Sequence, residues 1–297
     1  MKRLSQTILL AVLALAGSAT SLRGQDAPTE YLPEPGGEIP TLNSQFEHGQ
    51  PRKVVDAVGW VFGIPKKIIL WDRRAVNHRV SLETEQNLAR YLEANGLTST
   101  KVRINQYDPI GEWQRLRANK QVGAGWRYTV GAFGTLVYTV VPGRLFGSDG
   151  YNPYTDSINI YSDIPCLAQE QGGYAKLVHA RPHPGTYAAL TALPVVQLWP
   201  EKKSKNDVLD YTLTNGTPEQ QQEATRVLYA EFGAEVGGQA SLLLGSNLPL
   251  TLAGAGVGHV AARFNGNATT EDPPTPEADG ELTARQSNAD NPANLKR

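Results

Sequence analysis

The order of elements in residues 152–178 constrains the fold of this chain more than any other sequence feature. Asn152-Pro153 favours a turn, and Ser157-Ile-Asn-Ile-Tyr161 then alternates polar and apolar residues as a strand does. A helix is predicted from Ile164 to about Val178. A strand that leads into a helix within a few residues predicts a sheet with a helix packed against it.

The same mixture of patterns extends over residues 51–185. Three further runs are apolar, β-branched or alternating and predict strands, namely Ile68–Trp71, Lys101–Tyr107 and Thr135–Val141. Two further segments predict helices: Leu82–Glu93, for which Ser81 is a good N-cap, and Glu112–Asn119. We expect an α+β or α/β core with a mixed sheet. The strand at residues 157–161 is expected at the edge of that sheet, with the helix from Ile164 packed beneath it.

Length, charge and cysteine content exclude several classes of function. The chain has 297 residues, enough for one large domain or two small ones, and a net charge of -1. Because it has no excess of positive charge, we expect no nucleic-acid partner. Cys166 is the single cysteine, so the chain can form neither an internal disulfide nor a zinc site built from cysteines.

The two ends of the sequence differ from its middle. Lys2 and Arg3 precede the apolar run Ile8–Ala16, and small residues follow up to Ala19. This layout predicts a secretory signal peptide over residues 1–19, although an uncleaved membrane anchor has the same pattern. We therefore expect export to the periplasm, the envelope membrane or the exterior. Residues 20–50 and 266–297 are rich in polar residues, Pro and Gly, and predict a flexible spacer and a disordered tail.

Three stretches lack charged residues: Tyr128–Gly143, Pro184–Pro200 and Val236–Ala262. The first two are too short to span a bilayer comfortably. The third is longer, and its Gly and Ala residues would allow close helix packing in lipid. We expect a helical C-terminal region over residues 186–265, with two alternatives for Val236–Ala262: contact with a membrane, or a buried Gly-rich helix.

Residues 170–174, within the 164–178 helix, have the spacing of a metal motif but different chemistry. In His-Glu-x-x-His, the two His lie one helical turn apart and bind Zn²⁺, while the Glu takes a proton from the metal-bound water. This chain has Glu170-Gln171-Gly172-Gly173-Tyr174 in that frame. Gln171 cannot act as a general base, because an amide has no useful pKa.

The sequence around this frame resembles a family of exported bacterial zinc metallopeptidases of the zincin type. The resemblance runs from about Gly59 to about Arg263. It rests on the 152–165 stretch and on five further stretches: Val58–Pro65, Trp71–Arg74, Pro142–Phe146, Gly172–Lys176 and Tyr229–Gly238. Members carry His-Glu-Gly-Gly-His and a downstream Glu as the third zinc ligand. The resemblance implies a zincin-like mixed sheet with an active-site helix.

Carried over position by position, the resemblance assigns vestigial roles to four residues. Glu170 and Tyr174 stand where the two His ligands would be, and Gln171 stands at the position of the catalytic base. Glu201 would be the third ligand. Carboxylates without imidazole suit Ca²⁺ or Mg²⁺ better than Zn²⁺. We therefore expect no bound zinc, no other cofactor and no catalytic residue.

The histidines offer weaker candidates for a displaced site. His179 and His183 are four residues apart, but Pro182 lies between them and disfavours a regular helix carrying both. His259 lies within the third charge-free stretch. We expect these histidines to be turn, surface or interface residues.

Three functional hypotheses follow from the sequence. In the first, the chain is an inactive metallopeptidase-like protein of the cell envelope, which binds a peptide or a partner protein in the former cleft. The second is a metal-dependent hydrolase with altered ligands at Glu170 and Glu201. The third is a membrane-associated structural protein.

Overall fold

The computed structural model describes residues 45–244 and 249–268, with side chains for residues 45–243 and 249–265. Within these residues a sheet forms from β1 (Phe46–His48), β2 (Lys101–Ile104), β3 (Gly150–Asn152) and β4 (Ser157–Ile160). The strand order is β1-β2-β4-β3. The β1–β2 and β2–β4 pairs are parallel, whereas β3 is antiparallel to β4.

The helices are numbered along the chain. Those before the last strand are α1 (Lys53–Phe62), α2 (Ile64–Leu70), α3 (Leu82–Ala94), α4 (Pro109–Ala118), α5 (Ala124–Trp126), α6 (Ala132–Val140) and α7 (Gly143–Phe146), and a π-helical turn (Arg127–Gly131) joins α5 to α6. Those after it are α8 (Pro165–His179), α9 (Pro184–Thr191), α10 (Leu198–Asn215), α11 (Pro218–Leu244) and α12 (Pro249–Ala268). The architecture is a mainly helical α+β fold with a small mixed sheet.

The core lies between the sheet and two helices. Val102 and Ile104 of β2 and Ile158 and Ile160 of β4 are buried in one apolar cluster, to which α3 and α8 contribute side chains. Because β4 runs into α8 after four residues, the start of α8 is fixed against the sheet. The helix that carries the Glu170 frame is therefore held by the most buried part of the fold.

Several predicted elements are confirmed. The helices expected at Leu82–Glu93, at Glu112–Asn119 and from Ile164 are α3, α4 and α8, and the strand expected from Lys101 is β2. Ser81 caps α3 by accepting a hydrogen bond from the Thr84 amide at 3.3 Å. The C-terminal region is helical, as expected, in α9 to α12.

Two strand predictions are wrong, and a third strand does not have its expected position in the sheet. Ile68–Trp71 lies at the end of α2, and Thr135–Val141 lies in and just beyond α6. Local β-propensity is overridden there by the surrounding packing. The strand at residues 157–161 exists as β4, but it lies between β2 and β3 and not at an edge. The Ser157 hydroxyl donates to Glu112 at 2.8 Å, so even the polar side of this strand is buried.

The structure also bears on the boundaries expected at both ends. Residues 1–19 lie outside the described residues. β1 falls within the range expected to be a spacer, and α12 continues to Ala268, past the expected start of the tail at Gly266. The stretch Val236–Ala262 covers the end of α11 and most of α12. Among the described helices, none combines the length and hydrophobicity that crossing a bilayer requires.

α11 and α12 form an antiparallel pair in direct backbone contact. A Cβ atom added at Gly233 would collide with the Gly254 carbonyl, and one added at Gly254 would collide with the Gly233 carbonyl. Gly237 and Gly258 are equally close to the opposite backbone. The two glycine pairs, each four residues apart, form the small-residue contact that the sequence allows at this spacing.

We predict that Gly254→Ala lowers the free energy of unfolding by about 1–3 kcal/mol, because the added methyl group forces the two backbones apart. Gly256→Ala is the matched control, since a Cβ there meets no atom within 4 Å. That change should be neutral or stabilise by up to about 1 kcal/mol through helix propensity. Urea unfolding followed by far-UV circular dichroism measures both. Equal stabilities for the two variants would contradict the close contact.

Candidate functional site

Three helices bring charged residues to one place. They are Glu170 on α8, the pair Glu201 and Lys205 on α10, and the pair Glu231 and Glu235 on α11. One carboxylate oxygen from each of Glu170, Glu201 and Glu235 lies within 4.8 Å of the other two. We call Glu170, Glu201, Glu231, Glu235 and Lys205 the carboxylate cluster.

The Lys205 ammonium group lies among these carboxylates. It donates a short hydrogen bond to Glu170 Oε1, one of 2.9 Å to Glu235 Oε1 and one of 3.4 Å to Glu201 Oε2. An ammonium group has three donors, so these three helices use all of them. The Lys205 side chain is only 2% exposed. Burial alone would lower its pKa, but Glu170 and Glu235 raise the pKa well above its usual value, so the group stays charged.

A second lysine, Lys66, pairs with Glu231 of the cluster and with Asp149, which precedes β3. Lys66 Nζ of α2 lies 3.0 Å from Glu231 Oε1 and 3.6 Å from Asp149 Oδ2. Burial acts to lower the pKa of Lys66, but the charges of Glu231 and Asp149 raise it above its ordinary value. Two ammonium groups therefore face four glutamates, and the cluster connects α2 with α8, α10 and α11.

Protonation lowers the excess negative charge of the carboxylate cluster. Burial, then the charge of Glu231, raises the pKa of Glu170 well above its usual value. Burial acts to raise the pKa of Glu231 as well, but Lys66 and Lys205 lower it to about 2. Glu170 therefore keeps its proton to a higher pH than an ordinary glutamate does, and in its protonated form it can donate to the ionised Glu231. Neither Glu170 Oε2 nor Glu231 Oε2 has another hydrogen-bond partner.

Glu235 takes up a proton more readily than an ordinary glutamate. Burial raises its pKa to about 8, an effect that Lys205 partly offsets and Glu201 reinforces. The folded protein therefore binds this proton up to a higher pH than the unfolded chain does.

We predict that the wild-type protein loses stability as the pH rises from about 5 to about 8. A group whose pKa is raised in the folded state stabilises it fully below the unfolded pKa, and that contribution is lost as the pH rises through the folded value. Glu235→Gln, which mimics the protonated form, should flatten this dependence. Exposed Glu93→Gln on α3 is the control and should leave the slope unchanged. Urea unfolding at a series of pH values tests this, and an identical slope in Glu235→Gln would contradict the assignment.

The structure does not bring together all four residues to which the resemblance assigns vestigial roles. Glu170 and Glu201 meet in the carboxylate cluster. The Tyr174 hydroxyl is instead hydrogen-bonded to Thr191 Oγ1 of α9 at 3.1 Å, and its ring lies edge-on to Tyr151. Gln171, the next residue along α8 from Glu170, is half-buried. Two of the three vestigial ligand positions are thus brought together, and the third faces another helix.

Sequence reasoning missed Lys205, Glu231, Glu235 and Lys66. A signal was present: Glu231 and Glu235 are spaced by one helical turn within the Tyr229–Gly238 stretch, and Lys205 follows Glu201 by the same interval. Lys205 could not be singled out from Lys202 and Lys203, because three lysines in one turn look like a solvated surface. Only the packing of α10 shows which of them points inward.

The residues present do not fit a zinc ion. The cluster contains no imidazole or thiolate, and the Lys205 ammonium fills the space between the carboxylates. The amide of Gln171, which stands at the base position, cannot take up a proton.

The histidines have separate partners. His179 Nε2 pairs with Asp156 Oδ1 at 2.9 Å, and His183 is exposed at the start of α9. His259 Nε2 is 2.9 Å from the Ile69 carbonyl oxygen, and its ring stacks on Trp71. Among the described residues these three share no site. Cys166 is buried, and burial raises the pKa of its thiol.

In comparisons with known proteins, no family model matches this sequence, and neither a curated protein nor a solved structure shows significant similarity to it. The resemblance to zinc metallopeptidases therefore stays a prediction from the residues that carry it.

Proposed function

We propose that this chain is an exported, catalytically inactive metallopeptidase-like protein that acts by binding or scaffolding in the cell envelope. The observation that carries the proposal is the position of Lys205. Its ammonium group lies where Glu170 and Glu201, at two ligand positions of the frame, converge. A tethered cation in place of a metal ion neutralises the carboxylates but supplies no Lewis acid and activates no water.

The free-energy cost of burying several carboxylates without a cation explains why a lysine at this position would be retained in evolution. Several buried carboxylates repel one another and lose hydration, so they require a cation or protons. Lys205 is part of α10 and cannot dissociate. Once it occupies the site, the three helices remain joined without a metal, and the catalytic residues can be lost without loss of the fold.

A binding role requires an accessible surface for the partner and does not require catalytic residues. Strand addition by an extended peptide uses the free backbone groups of an edge strand. We expected the strand at 157–161 to offer such an edge, but β4 is paired on both sides. The ends of the described sheet are β1 and β3, so a peptide that pairs with this sheet would have to join one of those two short strands.

One observation favours a second candidate, a metal-dependent hydrolase with altered ligands. Three carboxylate oxygens within 4.8 Å of each other form a set that a hard cation such as Ca²⁺, Mg²⁺ or Mn²⁺ prefers. This function requires Lys205 to leave the cluster. Elemental analysis of the purified protein separates the candidates, because stoichiometric metal in the wild type would favour the hydrolase.

We predict that Lys205→Met exposes a cation site. Without the ammonium group, the remaining carboxylates should destabilise the fold by about 3–5 kcal/mol. Millimolar Ca²⁺ or Mn²⁺ should restore much of that stability, with one ion per chain by calorimetry. The wild type should respond to neither ion. Exposed Lys203→Met, on the same helix, is the control and should behave as the wild type does. A Lys205→Met protein that is as stable as the wild type and binds no cation would refute the role of Lys205.

A reconstruction tests the ancestry more directly. Glu170→His, Gln171→Glu and Tyr174→His together restore the motif, with Glu201 as the third ligand. We predict that this triple variant takes up zinc only when Lys205→Ala is added, because the ammonium group occupies the metal position. Zinc content by mass spectrometry of the triple and quadruple variants measures this. Equal zinc in both would show that Lys205 does not block the site, and no zinc in a folded quadruple variant would show that the frame is wrong.

A further inference from the structure

The segment from α5 to α6 has its polarity reversed relative to an ordinary surface helix. Phe133 and Val140 are 68% and 71% exposed, and Val137 is also exposed. The buried positions of the same segment are Arg127, Gly131 and Thr135. A helix on a water-facing surface buries its apolar residues and exposes its polar ones. This segment does the opposite, which marks it as a contact surface for something apolar.

The reversed segment continues onto a second helix. α1 exposes most of its apolar residues, including Val54, Trp60 and Phe62, and buries only Gly59. α1 packs on α7, where the rings of Phe62 and Phe146 are 4.7 Å apart. α7 follows α6 after a short link at Val141-Pro142. We call the exposed apolar side chains of α1, α6 and α7 the outer face.

Several polar groups near the outer face are bonded within the protein, although the buried Nε of Arg127 has no partner. The hydroxyl groups of Thr129 and Thr139 donate to carbonyl oxygens one turn earlier in the helix, each at 2.7 Å. The Arg127 guanidinium donates to the Arg117 carbonyl at 2.8 Å, and the Trp126 indole donates to Thr186 Oγ1. Hydrocarbon requires such internal pairing. A protein partner would instead be met by a polar rim, with about one hydrogen bond per 100–200 Å².

The length of the charge-free segment favours an orientation of the outer face parallel to a membrane surface over one that crosses the bilayer. The sequence from Tyr128 to Gly143 has no charged residue but is shorter than the roughly 20 residues that a spanning helix needs. Exposed Trp60, Trp126 and Tyr128 are the aromatic residues that sit at headgroup depth. Exposed Arg52 and Lys53 at the start of α1 can meet anionic lipid headgroups.

We propose that the outer face docks on the surface of a lipid bilayer. α1 is the first helix of the described chain, so an uncleaved Ile8–Ala16 segment would hold the chain to a membrane at the end where the outer face lies. This contact differs from the membrane contact that was one of the two alternatives for Val236–Ala262, where Val236, Ala240 and Ala255 are buried. Docking of the outer face does not depend on the carboxylate cluster, so its test is independent of the proposed loss of catalysis.

The test uses a fluorophore at one position of the full chain. Val137→Cys is labelled with an environment-sensitive nitrobenzoxadiazole group, since native Cys166 is buried and does not react. The matched control is a label at Leu213→Cys on α10, a position that is 50% exposed and outside the outer face. Vesicles of phosphatidylcholine with a minority of phosphatidylglycerol are added, with and without a lipid that carries a nitroxide quencher in its acyl chain.

We expect the label at position 137 to shift to shorter wavelength and to be quenched, and the label at 213 to do neither. Adding Phe133→Glu and Val140→Glu to the labelled Val137→Cys protein should weaken vesicle partitioning at position 137 by at least about tenfold. Both substituted side chains are exposed, so circular dichroism should show an unchanged fold. A probe at a single position reports this face even if the N-terminal segment also binds lipid.

Two results would overturn the proposal. The first is a label at 137 that is unaffected by vesicles, or that responds no more than the label at 213. The second is a dimer in light scattering that Phe133→Glu and Val140→Glu dissociate, with no quenching at position 137. That result would assign the outer face to a second copy of the chain.

Discussion

The ion pairs of Lys205 hold together the part of the structure on which everything else depends. One ammonium group joins α8, α10 and α11 through Glu170, Glu201 and Glu235, and Lys66 connects α2 to the same cluster through Glu231. A buried charge is tolerated only when it is paired and fully hydrogen-bonded. Because all three donors of Lys205 are used, the three helices cannot shift independently without leaving a charge unpaired.

This constraint also accounts for the protonation of the cluster. Four glutamates around two lysines would carry excess negative charge, and burial together with the charge of Glu231 favours the protonated form of Glu170. The same helix α8 is fixed at its start by β4 and at its side by α3. Apolar packing therefore sets where α8 lies, and the cluster sets how α10 and α11 approach it.

The sequence predicted those parts of the fold in which local signals agree with the final environment. The sequence predicts the Ser81 cap, the strand from Lys101 and the helix from Ile164 correctly, because capping and periodicity are local signals. Thr135–Val141 was read as a strand, because β-branched residues favour strands. The segment forms a helix whose Thr hydroxyl groups bond to its own carbonyls. The alternation of residues 157–161 predicts an edge strand, but β3 pairs with β4 on its outer side, and pairing between strands has no local signal.

The site was predictable only in part. The helical frame pointed to Glu170 and Glu201, and their carboxylates do meet. It could not show that Tyr174 turns to Thr191, since a position on a helix face does not fix the direction of a side chain. Lys205 lay unnoticed in a lysine-rich turn. The outer face was visible only as a charge-free stretch, because its meaning depends on which side of the helix the protein covers.

Lys205 has a consequence for the life of the chain after synthesis. A metalloprotein exported without its metal must acquire the ion from its surroundings, in competition with every other ligand there. Here the cation is encoded in the gene and arrives with the polypeptide. The charge that joins α8, α10 and α11 is therefore present as soon as the chain is made.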